Sequence, residues 1–188
     1  MRTHVGLLRG INVGGHNRLA MSDLREIVRG LGFSDVVTYI QSGNVVFSCD
    51  ETEGTKLSTK LEQAIADRSD VRTGVVVLSR PHLRSVVADN PYPRETNPKF
   101  LHVVFHRDQI SPDTAETVAA AVQRARDKGS RDDATVIGNF LYLHTPDGLG
   151  RSVLAAELSR PPAATATDVV NTMRNWATVT RLMALLDD

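Results

Sequence analysis

Val5-Gly6-Leu7-Leu8-Arg9-Gly10-Ile11-Asn12-Val13-Gly14-Gly15 and, further on, Val36-Val37-Thr38-Tyr39-Ile40-Gln41-Ser42-Gly43-Asn44-Val45-Val46-Phe47 are the stretches that decide the fold. Val5–Leu8 is a short apolar run that ends in a glycine-rich loop. The second stretch holds two β-branched runs, Val36–Ile40 and Val45–Phe47, around Ser42-Gly43, the signature of a hairpin. Between the stretches, Leu24, Ile27, Val28 and Leu31 recur at i, i+3, i+4 and i+7, one face of a helix, with Gly32 where a helix stops. Beyond them, Leu57, Leu61, Ala64 and Ile65 repeat the helical period, and Gly74–Leu78 closes the set as a buried strand. The order is βαββαβ, a ferredoxin-like pattern.

The second half begins the same way. Phe100–Phe105 reads as a strand, and Ser111-Pro112 caps a helix carrying Ala115, Val118, Ala119, Val122 and Ala125. Thr135–Ile137 and Phe140–Leu143 flank Gly138-Asn139, a two-residue hairpin signal. A short helix is expected near Ser152–Leu158. A last helix, opened by Arg174-Asn175-Trp176, carries Trp176, Val179, Met183 and Leu186 on one face. The pattern leaves the second closing strand open: it is either missing or replaced by residues around Ala166–Val170. The expectation is an α+β chain of two ferredoxin-like subdomains, the second with an extra C-terminal helix. Residues 1–80 form the first and 99–188 the second. Residues 81–98, a short helix and the proline-rich Asn90–Pro98 stretch, link them.

Topology then gives a candidate site an address. The first crossover makes strands one and two parallel, so both finish at the same edge of the sheet. The glycine-rich loop and the Ser42-Gly43 turn must meet there, bringing Arg9, Asn12, Gly14, Gly15 and Asn17 beside Gln41, Ser42 and Asn44. The glycines allow a ligand close to the backbone, and the following helix points its positive end the same way. Such a corner suits a small-molecule anion or a polar ligand. The competing reading is that these residues simply build the turns.

Several chemistries are disfavoured. The spacing Gly10-x4-Gly15 is that of a phosphate-binding loop, but His16-Asn17 stand where that loop needs Lys and Ser or Thr. His102 and His106 are four apart in a strand, where four residues span roughly 13 Å, too far to chelate a metal. Ser42 and Ser152 lie outside a nucleophile elbow, and Ser152 fits a helix cap. Cys49, the one cysteine, has no cationic neighbour in sequence and fits a half-buried thiol. Asp132-Asp133 looks like a solvated loop. No cofactor is expected.

Charge is balanced, with 22 basic and 22 acidic residues and a formal net charge of zero. No overall field would hold the chain on nucleic acid or an anionic membrane. Residues 1–33 do carry five arginines against Asp23 and Glu26. No apolar run approaches the roughly 20 residues that span a bilayer. Without disulfides or a leader-like start, a cytoplasmic location is the expectation.

The residues of the corner carry a resemblance. Leu7–Gly15 with Asn17 and Met21, then Tyr39–Phe47, resemble the opening signature of the bacterial domain-of-unknown-function family 1697. Leu101–Phe105, Gly148 and Ser152 after Tyr142-Leu143, and Arg174-Asn175-Trp176 extend the match over nearly the whole chain. Two positions depart from the family pattern: His16 replaces a frequent lysine, and Met173 a threonine or similar residue. The resemblance implies two ferredoxin-like subdomains and supplies no reaction, substrate or cofactor. Three functions follow as expectations. The first is a small-ligand module at the corner. The second is a transferase or hydrolase with a site between the subdomains, drawing on Arg174 or Ser152. The third, a weak nucleic-acid binder, lacks the aromatic signature of RNA-binding sheets.

Overall fold

The computed structural model describes residues 1–15, 17–159 and 170–188. The chain divides into two compact units. One comprises Met1–Ala88, Val170–Thr172 and Val179–Asp188; the other comprises Asp89–Val169 and Met173–Thr178.

In the first unit, β1 (His4–Leu8), β2 (Ser34–Tyr39), β3 (Asn44–Ser48) and β4 (Val75–Ser79) form one sheet in the order β2-β3-β1-β4. β1 pairs antiparallel with both β3 and β4, and β2 pairs antiparallel with β3. β1 and β2 therefore run the same way, as the crossover requires. α1 (Met21–Gly30) buries Leu24, Ile27 and Val28 on the expected face. The chain leaves that helix through Leu31, whose N–H bonds to Val28, and Gly32 at φ +84°.

α2 (Gly54–Arg68) covers the same sheet face with Leu57, Leu61 and Ile65. A Cβ on Gly6 would lie 3.1 Å from Val45 and 3.4 Å from the Leu61 side chain, so the missing side chain is what lets the helix settle on β1. These residues join Leu8, Phe33, Phe47, Val75 and Val77 in one core. α3 (Arg80–Ala88) follows β4 directly and is tied to the C-terminal segment by the Arg84–Asp187 pair at 2.9 Å. Arg2 donates from its backbone N–H to Leu186 and from its guanidinium to Leu185.

The second unit repeats the topology with β5 (Leu101–His106), β6 (Asp133–Ile137), β7 (Phe140–His144) and β8 (Asn171–Asn175) in the order β6-β7-β5-β8. Both sheets thus have the ferredoxin-like arrangement. α4 (Pro112–Asp127) starts at Ser111, whose hydroxyl accepts from the Thr114 N–H. Asn139 in the β6–β7 turn donates to the His106 carbonyl at 2.9 Å and fixes the hairpin against β5. α5 (Val153–Leu158) is capped by Ser152, as its sequence context suggested.

Three readings need correction. Asp132, expected in a solvated loop, is 4% exposed; its carboxylate accepts from the Ser152 hydroxyl and the Leu154 N–H, so it anchors the start of α5. The closing strand is β8, not the region around Ala166–Val170; of that region Ala166–Val169 lie outside the described residues, and Val170 precedes the strand. Arg174 and Asn175 end β8 and do not open the last helix, α6 (Trp176–Asp187). Asn175 still serves that helix, accepting from the Thr178 N–H at 2.9 Å. Among the described residues no helix is long and apolar enough to cross a membrane.

Gly43 is a joint where a left-handed backbone meets close packing. Its φ is +78°, and a Cβ there would sit 2.8 Å from both the Leu8 Cβ and the Ile11 side chain. Gly10 has φ +60° with open space around it. Gly43→Ala should therefore cost about 2–4 kcal/mol, backbone strain plus overpacking. Gly10→Ala should cost only the strain, about 1–2 kcal/mol. Urea unfolding of the two variants checks the difference.

Burial holds the imidazoles of His4, His102 and His106 below their ordinary value. The unfolded chain then takes up protons first as pH falls through 6.5, so stability is full above that value and is lost on acidification. The urea midpoint should drop between neutral pH and pH 5, and His102→Leu should flatten the dependence. An unchanged slope in that variant would show that His102 does not contribute.

Candidate functional site

The corner is built where β1 and β2 end and β3 and β4 begin. Asn44 on β3 pairs with Leu7 on one side and Tyr39 on the other, so the loop after β1 and the turn after β2 leave the sheet side by side. The Leu8 N–H donates to the Gly43 carbonyl at 2.8 Å.

The loop from Arg9 to Leu19 keeps its shape through one side chain. Asn12 donates to the carbonyls of Leu19 at 2.9 Å and Gln41 at 2.8 Å, and its own Oδ1 accepts from the Leu19 N–H. The Asn12 backbone N–H donates to the Asn17 carbonyl, which narrows the loop's neck. Inside it, Gly10, Asn12, Gly14, Gly15 and Asn17 all have φ between +49° and +82°. Pairs of right- and left-handed residues turn successive N–H groups toward one side and form anion-receptive concavities. The space where Cβ atoms would stand on Gly10 and Gly14 is open.

Across the joint, the four-residue turn Ile40–Gly43 holds Ile40 at φ +49°. Asn44 is fully buried and donates to the Tyr39 carbonyl and the Ser42 hydroxyl. Of the residues singled out from sequence, Arg9, Asn12, Gly14, Gly15, Asn17, Gln41, Ser42 and Asn44 all lie on this edge. The amide of Asn12 is taken up by the loop, and Asn44 sits beneath the surface holding the turn. Arg9, Gly14, Gly15, Asn17 and Gln41 are exposed, and Ser42 is half-exposed.

The sequence reading missed the fourth contributor. β4 is antiparallel to β1, so it begins where β1 ends, and Thr73-Gly74 lie against Arg9. The Arg9 N–H bonds to the Gly74 carbonyl at 2.9 Å, and the Thr73 hydroxyl donates to the Arg9 carbonyl at 2.6 Å. Exposed Arg72 comes with them. The same βαββαβ order that paired the loop with the turn contained this signal. Arg18 was also passed over; its guanidinium lies 3.8 Å from where a Gly15 Cβ would stand. On the β4 side the edge is closed by Val170–Thr172. Val170 fills the space beside Gly74, and the Thr172 hydroxyl donates to the Leu8 carbonyl.

Arg174 belongs to the second unit, near the end of β8. It is 8% exposed, donates to the Met173 carbonyl at 2.8 Å, and burial pushes its pKa down to about 10. Cys49 is half-buried, with its sulfur 3.5 Å from His4 Nδ1 and its S–H directed to the Glu51 carbonyl. Burial pushes the thiol up and the imidazole down, which favours a neutral pair over a reactive thiolate. Among the described residues no group of three or more His, Cys, Asp or Glu side chains could hold a metal ion.

A groove of about 690 Å³ also marks this unit, but it runs along α2 past Leu31, Lys56, Lys60 and Arg68, away from the sheet edge. At the corner, exposed backbone and arginine form the rim.

Comparison with known proteins returns the same architecture. A conserved bacterial protein, SP0830 from Streptococcus pneumoniae, superimposes with a TM-score of 0.74 at 22% sequence identity over 98% of both chains, a likeness of fold. No curated protein matches. The model of the family described as "Protein of unknown function (DUF1697)" matches residues 1–142, and the chain belongs to that family.

Proposed function

We propose that the protein binds a small anionic ligand at the corner of the first unit, with Arg9, Arg18 and Arg72 supplying charge and the loop of Gly14, Gly15 and Asn17 supplying backbone N–H groups. Gln41 and Ser42 stand beside them as hydrogen-bonding partners. One observation carries the reading. The segments that form the edge, residues 9–19, 40–44 and 72–74, contain three arginines and no aspartate or glutamate, in a chain whose formal net charge is zero. The Glu62 carboxylate, which accepts from the Val75 N–H at 2.7 Å, offsets part of that charge, and the positive balance with left-handed backbone inside it favours an anion.

The rigidity of the corner supports the same reading. Asn12 and Gly43 hold the loop and turn in place before any ligand arrives, so little ordering cost falls on binding. The reading uses the protein as a binding module in the cytoplasm and assigns it no reaction.

Titration with inorganic phosphate, followed by amide NMR shifts and calorimetry, tests the proposal. Shifts should concentrate in residues 9–19, 40–44 and 72–74, and affinity should fall with ionic strength. Arg9→Ala and Arg72→Ala should each weaken binding about tenfold, the loss of about 1.4 kcal/mol. Arg84→Ala, whose side chain pairs with Asp187, should leave binding unchanged. Phosphate affinity that survives loss of both Arg9 and Arg72 would overturn the placement.

A further inference from the structure

Two apolar side chains on the same edge are out of place. Val13 is 66% exposed and Ile40 49% exposed; the other large hydrophobics exposed among the described residues are Met1 and Met173. Val13 follows Asn12 and Ile40 precedes Gln41, and the 2.8 Å bond from the Asn12 amide to the Gln41 carbonyl draws the two pairs together. The two apolar residues thus flank that bond in the chain, on the edge that also carries Arg9 and Arg18.

Ile40 is out of place a second time. At φ +49° it holds a left-handed backbone, which β-branched residues avoid because Cβ crowds the following carbonyl. Asparagine or glycine would relieve the turn and remove the exposed apolar surface together. About half of the isoleucine side chain stays exposed there, surface that a bound apolar group would cover.

We propose that the anion taken at this corner carries a flat aromatic ring, as a nucleoside 5′-monophosphate does, and that Val13 and Ile40 seat the ring face while the arginines and loop N–H groups hold the phosphate. The inference rests on the anion reading of the corner and goes beyond it by naming the ligand class. Charge and surface agree on it. The arginines are complementary to a phosphate dianion, and exposed Val13 and Ile40 on the same edge offer apolar surface to a ring face. Arginine guanidinium planes stack on the same kind of ring.

Calorimetry with adenosine 5′-monophosphate, ribose 5-phosphate and inorganic phosphate at one ionic strength separates the parts. The nucleotide should bind about tenfold tighter than ribose 5-phosphate, a gap of about 1.4 kcal/mol. Ile40→Asn should shrink that gap below about threefold, leave ribose 5-phosphate affinity unchanged and raise the urea midpoint. Val13→Ser, which touches no strained backbone, should shrink the gap without the gain in stability. Equal affinity for the nucleotide and ribose 5-phosphate in the unsubstituted protein would overturn the ring inference and leave the anion reading standing. A gap that survives both substitutions would overturn it as well. If none of the three compounds binds, both proposals fall.

Discussion

Where the turn between β2 and β3 touches the exit of β1, there is room for a backbone and nothing else. Gly43 lies with its missing side chain against Leu8 and Ile11, and its carbonyl takes the Leu8 N–H. The first unit is organised around that contact. It sets where the loop begins, and the loop then reaches back through Asn12 to the carbonyl of Gln41, closing a ring of interactions between two connections far apart in sequence. The residues of the corner share an edge because of it. The field of the three arginines there has a fixed backbone to work against.

Much of this architecture was legible in the sequence, and the parts that were not have physical reasons. The strands and helices of the first unit announce themselves because their buried residues are apolar and recur at the period of their element. β8 does the reverse. Its buried positions are Thr172 and Arg174, and exposed Met173 lies between them, so the alternation is present with its polarity inverted. A search for apolar periodicity passes over such a strand, and Arg174-Asn175 then look like the opening of the next helix. Asp132 was misread for a similar reason. An acidic pair beside a turn is usually solvated, and nothing local shows that a helix start twenty residues later comes to meet its carboxylate.

The corner shows the same division. That the glycine-rich loop and the hairpin turn share an edge followed from the parallel crossover alone, and the pairing of Asn44 with both Leu7 and Tyr39 bears it out. The occupation of the Asn12 amide did not follow, because its partners are backbone carbonyls whose positions depend on the folded loop. Arg72 could have been found: a strand antiparallel to β1 begins where β1 ends, and that step applies to β4 as well as β3.

The first unit is assembled from segments far apart in the chain, and this orders events during synthesis. Arg2 holds carbonyls of Leu185 and Leu186, and Thr172 holds the carbonyl of Leu8, so the contacts at both ends of β1 draw on segments translated well after β4. At about 5–20 residues per second, the interval between β4 and the C-terminal segment is several seconds or more. Throughout it, the sheet carries Val5, Leu7, Val76 and Leu78 without the last pieces of its unit. Apolar surface left open for that interval is where a nascent chain makes non-native contacts.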